Sequence, residues 1–167
     1  MKLKSISFSA VYCSDTKRAL QTAELLLEAK GQPHIRIHQD CRLREWCLGK
    51  LEAADNTSFI SKVSDWLGAE PSLTELNQRL PEVAEAIRQH DTTGFAEPFG
   101  KIERRLVNSL AKAYMENRTD SNILIVTHAF IIKTLIYLFD HDNMAECAKV
   151  ENARVLTQLA IVVISRL

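Results

Sequence analysis

Apolar runs alternate with amphipathic stretches over the first part of the chain. Residues 8–13 are apolar and aromatic, which is typical of a buried β-strand. Apolar residues then recur at helical spacing over residues 19–27, and Ser14 or Asp15 stands where a helix cap is expected. Gly31, with a proline two residues later, marks the end of this helix. The pattern therefore predicts a strand followed by a helix.

The next segment predicts a second strand and then a helical insertion. Residues 35–38 alternate between isoleucine and a polar residue, as in a strand with one solvent-facing side. Residues 91–100 carry the longest loop signal in the chain, and we hypothesise that they form a mobile lid. At about residues 52–100, short amphipathic pieces indicate an insertion of helices, which are interrupted at Gly68, Pro71 and Pro81.

The last third of the chain continues the alternation of helix and strand. Residues 101–117 and 129–139 have the pattern of helices, and the apolar run 123–126 between them predicts a central strand covered on both faces. Residues 154–164 return to strand composition. This order predicts an α/β protein with three layers, α/β/α, around a mostly parallel sheet. We expect one domain, residues 1–167, with the helical insertion inside it.

Composition places the chain among ordinary globular proteins and argues against two classes of partner. Hydrophobic residues make up 46%, and 21 Lys and Arg balance 21 Asp and Glu. Because a surface without net charge does not attract phosphate backbones or anionic lipids, we expect no nucleic acid and no membrane as partners. No transmembrane run or signal peptide is recognisable, so a cytoplasmic location is expected. The four cysteines are then expected to be free thiols.

Three side chains that suit phosphate chemistry lie at or near predicted strand ends. Arg18 lies in the first turn of the first helix, Glu45 in a loop after the second strand, and His128 at the tip of strand 123–126. Ligands of parallel α/β sheets bind beyond the carboxyl ends of the strands, where helix N-termini present free N–H groups. An arginine, a histidine and a carboxylic acid can hold a phosphoryl group and protonate its leaving oxygen. Each residue alone also fits an ordinary role, as a solvated arginine, a buried hydrogen-bonded histidine or an exposed carboxylate.

Two other motifs are interpreted as structural, and neither a metal nor a cofactor is expected. His34 and His38 share one predicted strand face, but no further ligand at suitable spacing completes a metal site. The glycines and lysine of residues 94–102 are similar to a phosphate-binding P-loop. Their spacing is one residue too long, and Ile102 stands where a magnesium-binding hydroxyl is needed.

Three sequence blocks match the pattern of a known family in its order. Residues 11–23, VYCSDTKRALQTA, follow Ser-(Asp/Pro)-x-x-Arg-Ala-x-x-Thr-Ala. Residues 43–49, LREWCLG, follow Leu-x-Glu-x-x-x-Gly, and residues 125–129, IVTHA, are similar to Val-(Ser/Thr)-His-Gly. In these blocks the chain resembles the histidine phosphatase superfamily, the phosphoglycerate mutase-like proteins. The resemblance covers almost the whole chain from Leu3 onward.

The resemblance implies a phosphoglycerate mutase-like fold and a role for each candidate residue. Arg18 would bind the phosphate, Glu45 would donate a proton to the leaving group, and His128 would stabilise the transferring phosphoryl group. Ala129 stands where the family has a glycine, and its backbone would also belong to the phosphate-binding turn. The resemblance implies no metal.

The nucleophile that the resemblance implies has no counterpart in this sequence. The superfamily uses the histidine of an Arg-His-Gly motif at the end of a first central strand, and the 167 residues contain no Arg-His-Gly. Residues 1–6 resemble the tail of the helix that follows that strand, so we expect an N-terminally incomplete domain with the first central strand missing. Backbone groups beside strand 123–126 would then be unpaired, which would encourage a homo-oligomer. The remaining histidines stand in no matching motif: His34, His38, His90 and His141.

The sequence therefore favours a phosphomonoester hydrolase of the histidine phosphatase type that acts on a small phosphorylated metabolite. We expect it to be impaired in this chain, because covalent phosphoryl transfer depends on the nucleophile. Two alternatives stay open. One is a noncatalytic relative that binds a phosphate ligand or a protein, and the other is a mutase-type phosphotransferase.

Overall fold

The computed structural model describes residues 6–117 and 122–141 with their side chains, and residues 154–157 and 160–163 as strands. The strands in these ranges are β1 (Ala10–Cys13), β2 (Ile37–Gln39), β3 (Ile123–Val126), β4 (Arg154–Thr157) and β5 (Ala160–Val163). The α-helices there are α1 (Lys17–Ala29), α2 (Asn56–Leu67), α3 (Leu73–Gln78), α4 (Leu80–His90), α5 (Phe99–Glu116) and α6 (Ala129–Phe139). Among these helices, none combines the length and the apolar character that crossing a bilayer requires.

The chain is built from two compact units. The first comprises Met1–Glu45, Arg105–Ile132 and Glu151–Leu167, and the second comprises Trp46–Arg104 and Lys133–Val150. The predicted insertion of residues 52–100 falls within the second unit. That all 167 residues form one domain stays a prediction.

A five-stranded sheet of the described strands forms the centre of the first unit. Its order is β2-β1-β3-β5-β4. The pairs β2–β1, β1–β3 and β3–β5 are parallel, and the pair β5–β4 at the edge of the sheet is antiparallel. β1 and β3 are buried at every residue, which is why both consist almost wholly of apolar side chains. The predicted α/β class with a mostly parallel sheet is confirmed.

The edge of β3 that was expected to be unpaired is occupied. β3 pairs with β1 on one side and with β5 on the other, where Ile125 is opposite Ile161. The expectation of open backbone groups beside this strand is therefore wrong for the described residues. The physical reason is that β5, with the apolar sequence AIVV, can cover the N–H and C=O groups of a buried strand that would otherwise be costly to leave unpaired.

Helices cover both faces of β1 and β3. On one face, Val11, Cys13, Leu124 and Val126 form a buried cluster with Ala19, Ala23 and Leu27 of α1. On the other face, the Tyr12 hydroxyl donates to Glu116 at 2.9 Å and accepts from Asn117 at 3.0 Å, at the end of α5. Because side chains of a strand alternate between faces, these contacts give the three expected layers.

The N-terminus of α1 differs from the expectation in detail. Neither Ser14 nor Asp15 caps the helix; the cap position is Thr16, whose side chain makes no capping hydrogen bond. Ser14 is used elsewhere, because its hydroxyl lies beside a histidine ring. The C-terminal end agrees with the expectation, since Gly31 has a φ of 68° and its N–H donates to the Glu28 carbonyl at 2.9 Å.

The second unit contains α2, α3 and α4. The Asp55 carboxylate caps α2 by accepting from the Ser58 amide at 2.9 Å, and α2 ends at Gly68 in the left-handed region. Pro81 was expected to interrupt a helix, but it lies in the first turn of α4. A proline is tolerated there because the first helical N–H groups have no partner within the helix.

Asp91 organises the loop that was hypothesised to be a lid. Its carboxylate accepts hydrogen bonds from the backbone N–H groups of Lys50, Thr93, Phe95 and Ala96, at 2.9 to 3.0 Å. These donors, with Ala96 first among them, hold the pKa of Asp91 well below its usual range. The loop is thereby fastened at its first turn, and its function as a lid stays a prediction.

Gly49→Ala is expected to be much more destabilising than Gly68→Ala. Both glycines have a positive φ, 56° and 59°, so both substitutions carry a backbone cost of about 1–2 kcal/mol. A Cβ at position 49 would lie 2.2 Å from the Asp91 carboxyl carbon, whereas position 68 has nothing within 4 Å. Chemical denaturation should show an additional loss of about 1–3 kcal/mol for Gly49→Ala only. Equal losses for the two variants would contradict this account of Asp91.

Candidate active site

The pairing of β1 with β3 brings two chain segments out of the sheet side by side. Cys13 is opposite Val126 at the ends of these strands, and the N–H of Ser14 donates to the Val126 carbonyl at 2.9 Å. Beyond this point one segment leads into α1 and the other leads through His128 into α6. The segment after β2 joins them, because the Thr127 hydroxyl donates to the Leu43 carbonyl at 2.7 Å. Three segments thus meet at the carboxyl edge of the sheet.

His128 lies at this meeting point, which is called the crevice below, and contacts Ser14, Thr16 and Arg18. Its side chain is 1% exposed. Nδ1 lies 3.1 Å from a guanidinium nitrogen of Arg18, and Nε2 lies 2.9 Å from Oγ of Ser14. The Thr16 hydroxyl is 3.5 Å from Nε2, at the limit of a hydrogen bond. Arg18 itself is exposed, so the pair joins a buried imidazole to a guanidinium that solvent can reach.

The contact with Arg18 defines the protonation of His128. A guanidinium has only donors, so Nδ1 must be the acceptor and cannot carry a proton. The proton of the neutral ring is then on Nε2, which donates to Ser14. Burial, reinforced by the positive charges of Arg18 and Arg105, lowers the pKa of His128 to about 4. The imidazole is therefore neutral at physiological pH.

Glu45 lies next to the start of α6. One carboxylate oxygen of Glu45 accepts from the N–H of Phe130 at 3.2 Å, two residues after His128. Glu45 is partly buried, and so is Ala129, the first residue of α6. Arg18 thus contacts His128, and Glu45 contacts the first turn of the helix that begins at Ala129; that these four residues form a catalytic site stays a prediction.

Arg105 of α5 holds the segment that carries Glu45, and the sequence analysis missed it. Its guanidinium donates to three successive parts of that segment, the carbonyls of Arg42 at 2.6 Å, Arg44 at 2.7 Å and Glu45 at 3.0 Å. A guanidinium can bridge carbonyls in this way because its N–H groups form a rigid planar fork. The helical period places Arg105 beside the apolar stripe of α5 and Arg104 on the opposite face, but it does not indicate which segment Arg105 meets.

A bidentate ion pair joins the same segment to the start of α1. The guanidinium of Arg44 contacts both carboxylate oxygens of Asp15 at 2.6 Å. This partner holds the pKa of Asp15 below its usual range. The two segments that carry Arg18 and Glu45 are therefore linked directly as well as through the sheet.

Two of the other histidines stack on aromatic rings. His38 stacks on Tyr12 with ring centroids 4.9 Å apart, and His90 stacks on Trp66 at 4.3 Å. No group of three or more His, Cys, Asp or Glu in the described ranges could hold a metal ion. Cys13, Cys41 and Cys47 are free thiols, and Cys147 is outside the described residues.

Comparison with known proteins assigns the class. The chain belongs to the histidine phosphatase superfamily (branch 1), whose family model matches residues 1–164, a range that includes all residues of the crevice. Among individual relatives, 2,3-bisphosphoglycerate-dependent phosphoglycerate mutase 1 of Nitrosomonas europaea is 24% identical over 150 residues. That match covers 81% of this chain but only 63% of the relative, so the chain spans less than two thirds of that relative's length.

Two solved structures share the fold. Phosphoglycerate mutase from Bacillus anthracis str. Sterne is 28% identical with a TM-score of 0.75, over 96% of this chain and 67% of that one. Alpha-ribazole phosphatase from Shigella flexneri is 20% identical with a TM-score of 0.50, over 85% of this chain and 63% of that one. The second likeness concerns the fold alone.

The neutral state of His128 predicts a loss of stability on acidification. An unfolded histidine takes up a proton as the pH falls below about 6.5, whereas folded His128 does so only near pH 4. The unfolded state binds more protons in this window, so stability falls as the pH falls. The contribution of His128 to this loss between pH 7 and pH 4 is about 3 kcal/mol.

The measurement is chemical denaturation of the wild type and of His128→Gln at both pH values. The variant should lack this part of the pH dependence. His34→Gln is the control, because it replaces an exposed histidine of the same unit. It should keep the pH dependence of the wild type, apart from any general effect of losing one histidine. A pH dependence in His128→Gln as steep as that of the wild type would disprove the assignment of a neutral buried imidazole.

Proposed function

We propose that the crevice around His128 binds the phosphate group of a small phosphorylated metabolite, in a phosphomonoester hydrolase of the histidine phosphatase type. The contact of 3.1 Å between the Arg18 guanidinium and Nδ1 of His128 is the observation that carries this proposal. It joins an exposed cation to a buried neutral ring at the carboxyl edge of a parallel sheet, where ligands of such folds bind. A dianionic ester fits this arrangement.

Charge and donor geometry support a phosphate group in particular. The planar fork of Arg18 matches two oxygens of a phosphate, and Arg105 adds a second positive charge near His128. Neutral His128 and the backbone of Ala129 at the start of α6 supply further polar groups for the remaining oxygens. Glu45, beside the first turn of α6, is proposed as the proton donor to the leaving oxygen.

Arg18→Met is expected to weaken the binding of inorganic phosphate by about 10- to 100-fold, because it removes hydrogen bonds from a charged donor to the anion. Isothermal titration calorimetry or phosphorus NMR measures the change. Arg36→Met is the matched control, since it removes the same charge from an exposed residue that precedes β2 and so lies at the opposite edge of the parallel sheet. Equal weakening by both variants would refute a specific site at Arg18.

We further propose that this chain binds phosphate esters but turns them over poorly. The resemblance calls for a nucleophilic histidine in an Arg-His-Gly motif, and the 167 residues contain none. Without it the reaction lacks its covalent intermediate.

Hydrolysis of p-nitrophenyl phosphate by this chain is expected to be at least about a thousandfold slower than by a version preceded by an Arg-His-Gly strand. The extended version should lose its activity when His128 is replaced by Gln. Fast hydrolysis by the 167-residue chain itself, unaffected by His128→Gln, would contradict both the role of His128 and the need for the missing histidine.

Two alternatives have support of their own. A noncatalytic binding relative is consistent with a crevice that keeps Arg18 and His128 without the nucleophile. A mutase-type phosphotransferase is supported by the two phosphoglycerate mutases among the relatives. A competition-binding measurement separates the mutase from the noncatalytic relative. A mutase should bind 3-phosphoglycerate far better than an aryl phosphate, whereas a general phosphate-binding site should bind the two equally well.

A further inference from the structure

We propose that Ser14 is a positioning residue for His128, whose hydroxyl allows the imidazole to exchange tautomers when an oxyanion binds. In the structure Nδ1 accepts from Arg18. With an oxyanion bound, Nδ1 would donate to an anion oxygen while Ser14 donates to Nε2. This inference rests on the proposed function, because it concerns how the same crevice binds its anion. It adds a residue and a proton position that the sequence comparison does not assign.

The contacts of Ser14 suit this role. Its side chain is 0% exposed, and its Oγ lies 2.9 Å from Nε2 of His128. The N–H of Ser14 is bound to the Val126 carbonyl at the end of β3, which fixes the position of the hydroxyl relative to the ring. A serine hydroxyl can both donate and accept, so it can satisfy Nε2 in either tautomer. The Thr16 hydroxyl, at 3.5 Å, is too distant to take over.

An oxyanion requires His128 to reverse its hydrogen bond at Nδ1. In the structure this nitrogen presents a lone pair to Arg18, and a lone pair repels an anion oxygen. When the N–H groups of Arg18 turn to the anion, Nδ1 loses its donor. His128 can then contribute to binding only if Nδ1 carries a proton.

Protonation of the ring is the less favourable way to achieve this. The charged groups that act on His128 are Arg18 from α1, Arg105 from α5 and Asp15 from the segment before α1, and Glu45 lies beside the first turn of α6. Arg18 and Arg105 already supply two positive charges for a dianion, and a buried imidazolium would be a third. Tautomer exchange avoids this cost. Nε2 releases one proton to water and Nδ1 takes one up from water, so the charge of the ring is unchanged.

The direct test is NMR of protein labelled with ¹⁵N in its histidines, with and without sulfate. Sulfate is the probe because it keeps both charges over the neutral range. The His128 signals are assigned by their loss in His128→Gln. We expect a proton on Nε2 without sulfate and on Nδ1 with saturating sulfate, near neutral pH. An unchanged tautomer, or protons on both nitrogens in the complex, would overturn the proposal.

Variants of Ser14 test the role of the hydroxyl. Ser14→Ala should bind sulfate about 10-fold more weakly near neutral pH, because Nε2 of the occupied site is left without a donor. The variant should regain affinity as the pH falls, since a protonated ring needs no donor at Nε2. Wild-type affinity should stay flat over the same range. Ser14→Thr keeps the hydroxyl and should bind as the wild type does.

Ser64→Ala is the matched control, because it removes the hydroxyl of another fully buried serine, which lies in α2 of the second unit. It should leave both the affinity and its pH profile unchanged. A pH-independent loss in Ser14→Ala, or an equal loss in Ser64→Ala, would overturn the positioning role. Sulfate binding that does not depend on Arg18 would contradict the proposed function.

Sulfate binding that depends on Arg18 while the His128 tautomer stays fixed would contradict only this inference. If Ser14→Ala does not fold, the tautomer of His128 in the wild-type NMR spectra is the deciding result.

Discussion

The parallel pairing of β1 with β3 determines where all the polar groups of the crevice lie. Cys13 is opposite Val126, and one further hydrogen bond, from Ser14 N–H to the Val126 carbonyl, extends the ladder beyond the last strand residues. A shift of this register by one residue would turn the side chains of β1 to the other face. The buried cluster of Val11 and Cys13 with α1 disfavours that shift, because these side chains would lose their packing against Ala19, Ala23 and Leu27. Apolar packing of the strands therefore sets the distance between Ser14 and His128.

The site around His128 combines burial with positive charge. His128 is almost fully buried, and burial together with the guanidinium groups of Arg18 and Arg105 lowers its pKa. The ring is therefore neutral, which avoids a further positive charge there. Arg105 donates to three backbone carbonyls, whereas Arg18 contacts Nδ1 of His128 and is exposed to solvent. Of the two guanidiniums, Arg18 is thus the more accessible one.

Sequence patterns identified the parts of the fold that depend on local periodicity. The apolar run of β3, the start of α6 at Ala129 and the end of α1 near Gly31 follow from burial and from backbone preferences that act within a few residues. The residues Arg18, Glu45 and His128 were found from their place at strand ends and from their resemblance to family blocks. Their convergence on one edge follows because parallel strands end at the same side of a sheet.

Features that depend on contacts between distant segments were not accessible in this way. The cap of α1 was misplaced because Ser14 is used by a histidine that lies 114 residues later in the chain. The pairing of β3 with β5 is a long-range choice between strands of similar composition. Arg105 was missed because the helical stripe that predicts α5 does not reveal which polar residue meets the Arg42–Glu45 segment. In each case the deciding partner is remote in sequence.

Cys13 and Ser14, the last residue of β1 and the residue after it, have nucleophilic side chains that their surroundings leave unactivated. Cys13 is fully buried, and burial raises the pKa of its thiol to about 11, so almost no thiolate is present at neutral pH. Ser14 lies 2.9 Å from a histidine, as a nucleophilic serine would, but Arg18 occupies the other ring nitrogen. That contact places the ring proton on Nε2, so His128 cannot act as a base toward Ser14 in this arrangement. Neither side chain is therefore activated as a nucleophile here, and Ser14 would face an unprotonated Nε2 only after the tautomer exchange proposed above.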